Sequence, residues 1–349
     1  MTRRSLTLLL ATVLALGLAV AGSFATVPYV ALKPGPTCNT IGVCNGKTVL
    51  TITPTAHTDR SGQLRLTTVS VQDHISLFEA IAGWISPNEA VLPREIVYPP
   101  DQTAQQNAQQ TTQQMVDSQD SATIAALTYL GYKGTTTITV SSVAKGAPAD
   151  GKLNPGDVIL TVDGKAPTGA DADALGNDLR AKISARKPGQ PVTIGYERDG
   201  QKASVTLTTI VAPKSDPPRA IIGFTPGSRT EFPIHVDIKL SDIGGPSAGL
   251  MFALGIVDEV GDTDITGGRH IAGTGEIDAK GQVGAIGGIA QKMRGAKADG
   301  AKIFLVPTDN CDEAAKTKPS GIQLIRVTTL KSALDALATL RNGGTPQGC

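Results

Sequence analysis

An uncharged, apolar run near the amino terminus constrains this chain more than any other feature. It extends from Ser5 to Leu32, and its centre, Leu6–Val20, is almost entirely Leu, Ala and Val. About 20 apolar residues are enough to cross a bilayer as a helix. Because Arg3 and Arg4 precede the run and only Lys33 follows it closely, the positive-inside rule predicts a cytoplasmic amino terminus and an exported remainder.

A cleaved signal peptide is the main alternative for the same run, because Ser23-Phe-Ala25 presents small residues where a signal peptidase would cut. A buried core helix is a third explanation. The first two both place the rest of the chain outside the cytoplasm. We expect residues 1–32 to form a cytoplasmic tip and a single-pass transmembrane anchor, with most of the chain extracytoplasmic.

The composition excludes several classes of partner. Lys and Arg number 32 against 31 Asp and Glu, so the net charge is +1 and there is no global electrostatic footprint for nucleic acid. Aromatic residues make up 3% of the chain and Trp84 is the single Trp, which argues against a stacking platform for single strands. We expect no nucleic-acid partner.

Export would permit disulfides between the four cysteines. Cys38 and Cys44 are close in sequence, and Cys311 and Cys349 bracket the last segment. We expect each cysteine to pair with its neighbour, although four cysteines allow three connectivities. There is no Cys-x-x-Cys, and no metal site is expected because the histidines are scattered: His57, His74, His235 and His270.

The segment after the anchor predicts mixed secondary structure. Alternating apolar residues predict strands, and helical spacing predicts a helix. The predicted elements are strands at 48–53 and 63–71, a helix at 74–84, and a Gln-rich helix or linker at 101–121. We assign residues 33–121 to an amino-terminal extracytoplasmic region.

Residues 122–212 carry a second, distinct pattern. Ala147-Pro-Ala is followed by Leu153-x-Pro-Gly-Asp-Val-Ile-x-x-Val-Asp-Gly, and Arg198-Asp-Gly predicts a tight hairpin turn. This arrangement resembles a PDZ domain, particularly those attached to bacterial proteases. The resemblance implies that a peptide carboxyl terminus binds as an added strand, with the carboxylate loop at Leu130-Gly131-Tyr132; simple packing before a strand is the alternative role of those three residues.

Beyond a predicted stiff linker at 213–219 and a strand at 232–240, Gly244-Gly-Pro-Ser247-Ala-Gly249 precedes an apolar helix. A serine at a helix start lies among unpaired N–H groups, which can stabilise an oxyanion. The small residues Gly245 and Ala248, on either side of Pro246-Ser247, would let a substrate backbone approach. Helix capping is the alternative role of Ser247.

The same residues match the Gly-x-Ser-x-Gly elbow of α/β-hydrolases. Such an enzyme needs an acid and then a histidine downstream. His270 is the only downstream histidine, and it follows too closely for the intervening sheet and helices. A Ser-His-Asp esterase is therefore disfavoured.

A buried, neutral lysine is another base that could activate Ser247. Lys292 follows Gly287-Gly288 in the first turns of a predicted helix, with the apolar or small neighbours Ile289, Ala290 and Met293. Burial and the positive end of the helix dipole would both lower the pKa of this lysine. A solvated surface lysine is the alternative.

The combination resembles the proteolytic domain of Lon peptidases through roughly residues 232–310: Pro246-Ser247-Ala-Gly, Gly273-Thr274-Gly-Glu276-Ile277, Ile286-Gly-Gly, Lys292 and Gly300 to Pro307. The resemblance implies Ser247 as nucleophile, Lys292 as base, and a hydrogen bond from Lys292 to Thr274. Glu276 is expected to be structural. Gly245 departs from the family, which usually has Asp there.

The order of anchor, PDZ domain and Lon-type domain resembles the YlbL-like membrane proteases of bacteria. The resemblance implies an α+β fold and a Lon-type domain at 219–345, interrupted by the PDZ module so that residues 33–121 form its first part. Strand 64–71 is then expected beside strand 233–240. The sequence contains no Gly-x-x-x-x-Gly-Lys-[Ser/Thr] loop, so no ATP and no other cofactor is expected.

These observations predict a membrane-anchored, ATP-independent serine endopeptidase in the bacterial cell membrane. The PDZ domain would recruit or gate protein substrates, and Lon-type domains often form rings, so a homo-oligomer is compatible with the sequence. A PDZ adaptor with an inactive Lon-type fold and a different acyl hydrolase are the alternatives.

Overall fold

The computed structural model describes residues 3–54, 61–240 and 243–349. His57 and the first two residues of the expected cytoplasmic tip lie outside these ranges. The chain divides into a main unit, Met1–Tyr132 with Ile234–Cys349, and a second unit, Lys133–Pro233, here called the inserted unit. Helices and strands together confirm the expected α+β class.

Elements are numbered along the whole chain. The helices of the main unit are α1 (Arg3–Phe24), α2 (Leu77–Ile85), α3 (Arg94–Val97), α4 (Ala104–Tyr129), α6 (Gly249–Val260), α7 (Ile289–Ala298), α8 (Cys311–Thr317) and α9 (Leu330–Arg341). Its strands are β1 (Tyr29–Asn39), β2 (Val43–Cys44), β3 (Lys47–Thr48), β4 (Leu50–Thr53), β5 (Gln63–Gln72), β6 (Ala90–Pro93), β14 (His235–Ile238), β15 (His270–Gly273), β16 (Glu276–Ile277), β17 (Val283–Gly284), β18 (Ile303–Pro307) and β19 (Gln323–Val327). The inserted unit holds α5 (Ala172–Ser184), β7 (Thr135–Val143), β8 (Val158–Val162), β9 (Pro191–Arg198), β10 (Gln201–Thr208), β11 (Ile210–Val211), β12 (Ala220–Ile221) and β13 (Phe224–Glu231).

The first helix, α1, is apolar on all sides and almost entirely exposed. Within the described residues, Arg4–Phe24 is the one helix long and apolar enough to cross a membrane, a test that a signal sequence near the amino terminus also passes. The helix ends at Phe24, not at Leu32 as expected, and β1 begins at Tyr29. Pro28 lies between them and cannot donate a helical hydrogen bond.

The main unit is built on a six-stranded sheet in the order β19-β18-β15-β5-β1-β6. β15 pairs in parallel with β18 and β5, and β1 pairs antiparallel with β5 and β6. On β5, pairing with β15 reaches only as far as Leu66, so the edge from Thr67 onward has no β15 partner. This free edge lies beside the cleft described below.

Strand β14 pairs antiparallel with β4, although the two strands are far apart in the sequence. The expectation that strand 64–71 lies directly beside strand 233–240 is therefore wrong: β5 lies between β1 and β15 instead. The partner of β14 is β4, whose alternating residues Leu50 and Ile52 are buried on one side of the strand. Segments from both ends of the chain nevertheless form one compact unit.

The Gln-rich segment predicted at 101–121 continues into the first residues of the predicted PDZ domain as the single helix α4. Thr103 and Gln106 close a reciprocal capping box at its start, which satisfies two backbone donors. Small buried residues, among them Ser118 and Ala122, let α4 approach α6. The predicted PDZ domain begins at residue 122, within α4. Because α4 belongs to the main unit, the inserted unit begins only at Lys133.

The inserted unit is a five-stranded sheet in the order β10-β9-β8-β7-β13, packed with α5 around an apolar core. The buried Asp157 of the Pro-Gly-Asp motif accepts two hydrogen bonds from Arg198, which ties the turn before β8 to β9. Residues 213–219, predicted as a stiff linker, form the turn between β11 and β12, which pair with each other as a separate two-stranded sheet. The chain then adds β13 to the five-stranded sheet by pairing with β7.

Both disulfides join neighbouring cysteines, Cys38 to Cys44 and Cys311 to Cys349. The first closes the turn that follows β1. The second holds the carboxyl-terminal segment, where Gln347 also accepts a hydrogen bond from the backbone of Arg326 on β19.

Candidate active site

A cleft of about 730 Å³ opens in the main unit, and both Ser247 and Lys292 line it. Four segments meet there. They are the free edge of β5, the loop before α6, residue Glu276 on β16 and the start of α7. Leu32, Leu92 and Met115 add an apolar wall. The cleft therefore combines candidate reactive groups with room for an extended chain.

Ser247 is half-buried and directly precedes Ala248, the residue that caps α6. Helix α6 is buried almost throughout, which fixes the position of its first turn. Gly245 has a φ of 86°, a conformation that glycine adopts without strain, so a side chain at this position would be strained.

Helix α4 supports the loop that carries Ser247. The backbone N–H of Gly245 donates to the carbonyl of Thr111 at 2.9 Å, and Ser118 Oγ donates to the carbonyl of Pro246, also at 2.9 Å. Sequence analysis missed this role, because residues 101–121 are polar and were expected only to form a helix that leads into the next module. The signal that could have revealed it is the small, buried side of that helix.

The backbone N–H groups of Ser247 and Ala248 donate to no described residue. Unpaired N–H groups at a helix start attract negative charge, and the helix dipole adds to this attraction. Because both residues line the cleft, these groups are suited to stabilise an oxyanion that forms beside Ser247 Oγ.

Lys292 is 4% exposed and lies in the first turn and a half of α7. Burial disfavours its charged form and lowers the pKa of Lys292 from 10.5 to about 8, although the carboxylate of Glu276 acts in the opposite direction. No ion pair of Lys292 with a carboxylate occurs among the described residues. A substantial fraction of this amine is therefore neutral near pH 8 and able to accept a proton.

Thr274 connects the two candidate residues. Lys292 Nζ donates a hydrogen bond to Thr274 Oγ1 at 3.3 Å, the contact expected from the sequence, and Thr274 Oγ1 donates to the carbonyl of Ser247 at 2.9 Å. Ser247 Oγ itself bonds to no described residue, so its hydroxyl is free to turn into the cleft. Glu276 is exposed and lines the cleft, rather than having only the expected structural role.

The inserted unit has a separate groove of about 280 Å³ between α5 and the segment that leads into β13. Leu179 and Ile183 form one wall, residues 219–224 form the other, and Arg180 and Arg219 also line it. β13 is the edge strand of its sheet, so its outer edge can accept an added strand. Cationic side chains beside an apolar groove suit a peptide carboxylate.

Leu130, Gly131 and Tyr132 do not line this groove, contrary to the prediction. Leu130 caps the end of α4, Gly131 follows with a φ of 86°, and all three belong to the main unit. Sequence analysis missed the groove residues because the prolines before Arg219 were taken as a domain boundary. An apolar stretch interrupted by Gly223, directly after those prolines, was the available signal.

Comparison with protein families now adds independent evidence. The model of the PDZ domain matches residues 112–209, and the model of the Lon protease C-terminal proteolytic domain matches residues 219–339. The chain contains a PDZ domain and a Lon-type proteolytic domain. This is the architecture expected from the sequence, and the second match includes Ser247, Thr274 and Lys292.

Two of the solved structures that are similar to this chain are PDZ domains. That of an SdrC-like protein from Listeria monocytogenes is 24% identical, covers 26% of this chain and 86% of its own, and has a TM-score of 0.23. Its counterpart from Listeria innocua is 23% identical, covers 26% and 92%, and has a TM-score of 0.22. No curated protein matches the chain.

Replacing Thr274 with Val in the Lon-type domain removes the hydroxyl but keeps the shape of the side chain. We expect kcat for peptide cleavage to fall about 10- to 100-fold, because Lys292 loses its hydrogen-bond partner and its amine is no longer held in position near Ser247. KM should stay within about twofold. Thr274→Ser keeps the hydroxyl and should restore most of the activity; equal losses in both variants would contradict a positioning role.

Proposed function

We propose that this chain is a membrane-anchored serine endopeptidase that works without ATP and uses Ser247 and Lys292 as a catalytic dyad. The supporting observation is the buried Lys292, whose pKa is lowered to about 8 and which lines the same cleft as Ser247. A buried lysine without a carboxylate partner costs stability, and a use for its neutral form would explain why it is kept. General-base catalysis is such a use, and the serine nucleophile of a Lon-type peptidase needs a base.

In the first half of the reaction, Ser247 Oγ attacks the scissile carbonyl carbon while neutral Lys292 takes the hydroxyl proton. The oxyanion receives hydrogen bonds from the N–H groups of Ser247 and Ala248. Lys292, now an ammonium, gives its proton to the departing amine. The C–N bond breaks, and an ester to Ser247 remains.

In the second half, Lys292 is again neutral and takes a proton from water. The resulting hydroxide attacks the ester carbonyl, and the same N–H groups stabilise the second oxyanion. Lys292 returns its proton to Ser247 Oγ as the new carboxylic acid leaves and then ionises in water. No cofactor takes part in these steps.

An extended substrate suits the cleft. The edge of β5 from Thr67 to Val71 lines the cleft and has no β15 partner, so its backbone can pair with a peptide strand. A peptide held in this way presents its backbone to Ser247, whose neighbours are small. The substrate class is therefore unfolded or extended polypeptide.

The membrane location rests on two features. α1 has the length and composition of a membrane span, and both disulfides suit an oxidising compartment outside the cytoplasm. We infer a retained anchor, with the Lon-type domain and the PDZ domain on the outer side of the bacterial membrane.

The PDZ domain interrupts one Lon-type domain in this proposal. The compact unit that contains Ser247 is formed by residues on both sides of the inserted unit, and β15 pairs with β5 across that interruption. The groove beside α5 would hold a substrate carboxyl terminus or an exposed strand. The PDZ domain would then recruit the protein that the dyad cleaves.

The pH dependence of cleavage tests this proposal. Only neutral Lys292 can act as the base, so kcat/KM for an unfolded protein such as casein, without ATP, should rise about tenfold per pH unit below about 8 and level off above it. The measurement uses the full chain in detergent micelles from pH 6 to 10. A profile flat from pH 6 to 9 would contradict a lysine base, and absence of cleavage throughout would favour the PDZ adaptor.

A further inference from the structure

Helix α2 presents an apolar face that the described chain leaves largely exposed. Its exposed apolar side chains follow helical spacing along one side: Leu77, Phe78, Ile81, Trp84 and Ile85. Ile85 is 79% exposed, Trp84 56% and Phe78 45%. Large apolar side chains grouped in this way mark an interaction site rather than an ordinary solvated surface.

The exposure is not a consequence of a loose helix. Ala80 and Gly83 on the opposite side are buried, and Ala80 packs against Ala31 and Ile75. Ser76 and Glu79 form a capping box that fixes the first turn. α2 is thus held firmly, with its apolar face turned outward.

The start of α2 is fastened to the end of α1. The backbone N–H of Leu77 donates to the carbonyl of Ala25 at 3.1 Å, and Thr26 forms a β-bridge with Ser76. The ring of Phe78 packs so closely on Gly22 that a Cβ on that glycine would lie 2.8 Å from it. The apolar face therefore begins where the candidate membrane span ends.

We propose that α2 lies at the outer surface of the membrane that α1 crosses, with its apolar face among the lipid headgroups and upper acyl chains. This inference rests on the proposed anchoring by α1. A helix fixed at the outer end of a spanning helix lies at the level of the interface, where Trp and other aromatic residues are favoured. Its binding is apolar, because α2 contains no Lys or Arg to attract anionic lipid.

The position of α2 also orients the catalytic cleft. Side chains alternate between the two faces of a strand. Ala31 and Val91 belong to the cluster packed with α2, whereas Leu32 and Leu92, the next residues on the same strands, line the cleft. The strands β1 and β6 thus separate the lipid-facing helix from the cleft. With both α1 and α2 in contact with the membrane, the Lon-type domain cannot rotate freely about the axis of α1.

The single tryptophan makes this placement measurable, because Trp84 is the only Trp in the chain. The full chain is reconstituted into neutral phosphatidylcholine vesicles, with or without bromine at a shallow or a deep acyl position. We expect shallow bromine to quench at least half of the Trp84 emission, and deep bromine to quench less. Ile81→Ser with Ile85→Ser should at least halve the quenching, whereas Ile210→Ser, exposed on the PDZ domain, should not change it.

Flotation of the same vesicles after carbonate extraction reports on α1 separately. A chain that floats but leaves Trp84 unquenched by lipid and accessible to iodide overturns the interfacial placement while keeping the anchor; α2 would then face water or a protein partner. Quenching stronger from the deep position also overturns it. A chain that does not float removes the anchor and this inference together, while casein cleavage still tests the dyad independently.

Discussion

Replacing Ser247 with Ala is expected to reduce kcat for cleavage of an unfolded protein by about 10⁵-fold, since the proposed nucleophile and its covalent route are both lost. The fold should persist. Ser247 Oγ bonds to no described residue, so its removal leaves no described partner unsatisfied. The measurement is the rate of casein cleavage at pH 9 without ATP, together with the thermal unfolding midpoint of each protein.

Ser204→Ala is the matched control, because Ser204 is exposed on β10 of the PDZ domain and its hydroxyl forms no hydrogen bond with a described residue. It should retain wild-type cleavage. Cleavage within about tenfold of wild type in a folded Ser247→Ala protein would show that Ser247 is not the nucleophile.

Replacing Lys292 with Met should have two opposite effects. Cleavage should fall by about 10⁴-fold or more, because the variant lacks the proposed base that takes the serine proton. The free energy of unfolding at pH 7 rises by up to about 3 kcal/mol, because the pKa of Lys292 falls from 10.5 to about 8 in the fold and the charged form is disfavoured accordingly. Methionine keeps a similar length without the charge.

The sign of this effect follows from proton binding. Between pH 8 and 10.5 the unfolded chain holds a proton on Lys292 that the folded chain has lost, so the stability of the wild type rises with pH in that window. The gain in the free energy of unfolding from Lys292→Met is therefore complete below about pH 8 and disappears towards pH 10.5. Denaturant unfolding at pH 7 and pH 10 measures both limits.

Lys297→Met on the same helix is the control, because Lys297 is exposed and bonds to Ser320. It should change stability by less than about 0.5 kcal/mol and leave cleavage unchanged. A Lys292→Met protein that is less stable than the wild type at pH 7 would contradict the conclusion that burial of the charged Lys292 destabilises the fold.

The residues around Ser247 and Lys292 could be predicted from sequence because their signal is local. Each follows glycines at the start of a helix, and the flanking apolar residues give its burial. Thr274 could be named only through the resemblance to Lon peptidases, because no local pattern predicts that the ends of β15 and α7 meet.

The contacts that complete the site depend on distant segments. Thr111 and Ser118 support the Ser247 loop from a helix whose polar composition gave no indication of this role. The inserted unit extends to Pro233, beyond the predicted end of the PDZ domain at residue 212, since β13 joins its sheet by pairing with β7 across a long loop. Proline marks a turn as readily as a boundary, and only the pairing of β11 with β12 distinguishes the two.

The most direct test of the dyad is to locate the covalent bond. The wild-type chain in micelles is treated at pH 9 with a fluorophosphonate, which reacts with activated serine, and the adduct is mapped by mass spectrometry. We predict one adduct, on Ser247, which forms at least about 100-fold more slowly in Lys292→Met. An adduct on another serine, or equal rates in the two proteins, would contradict the proposed Ser247–Lys292 dyad.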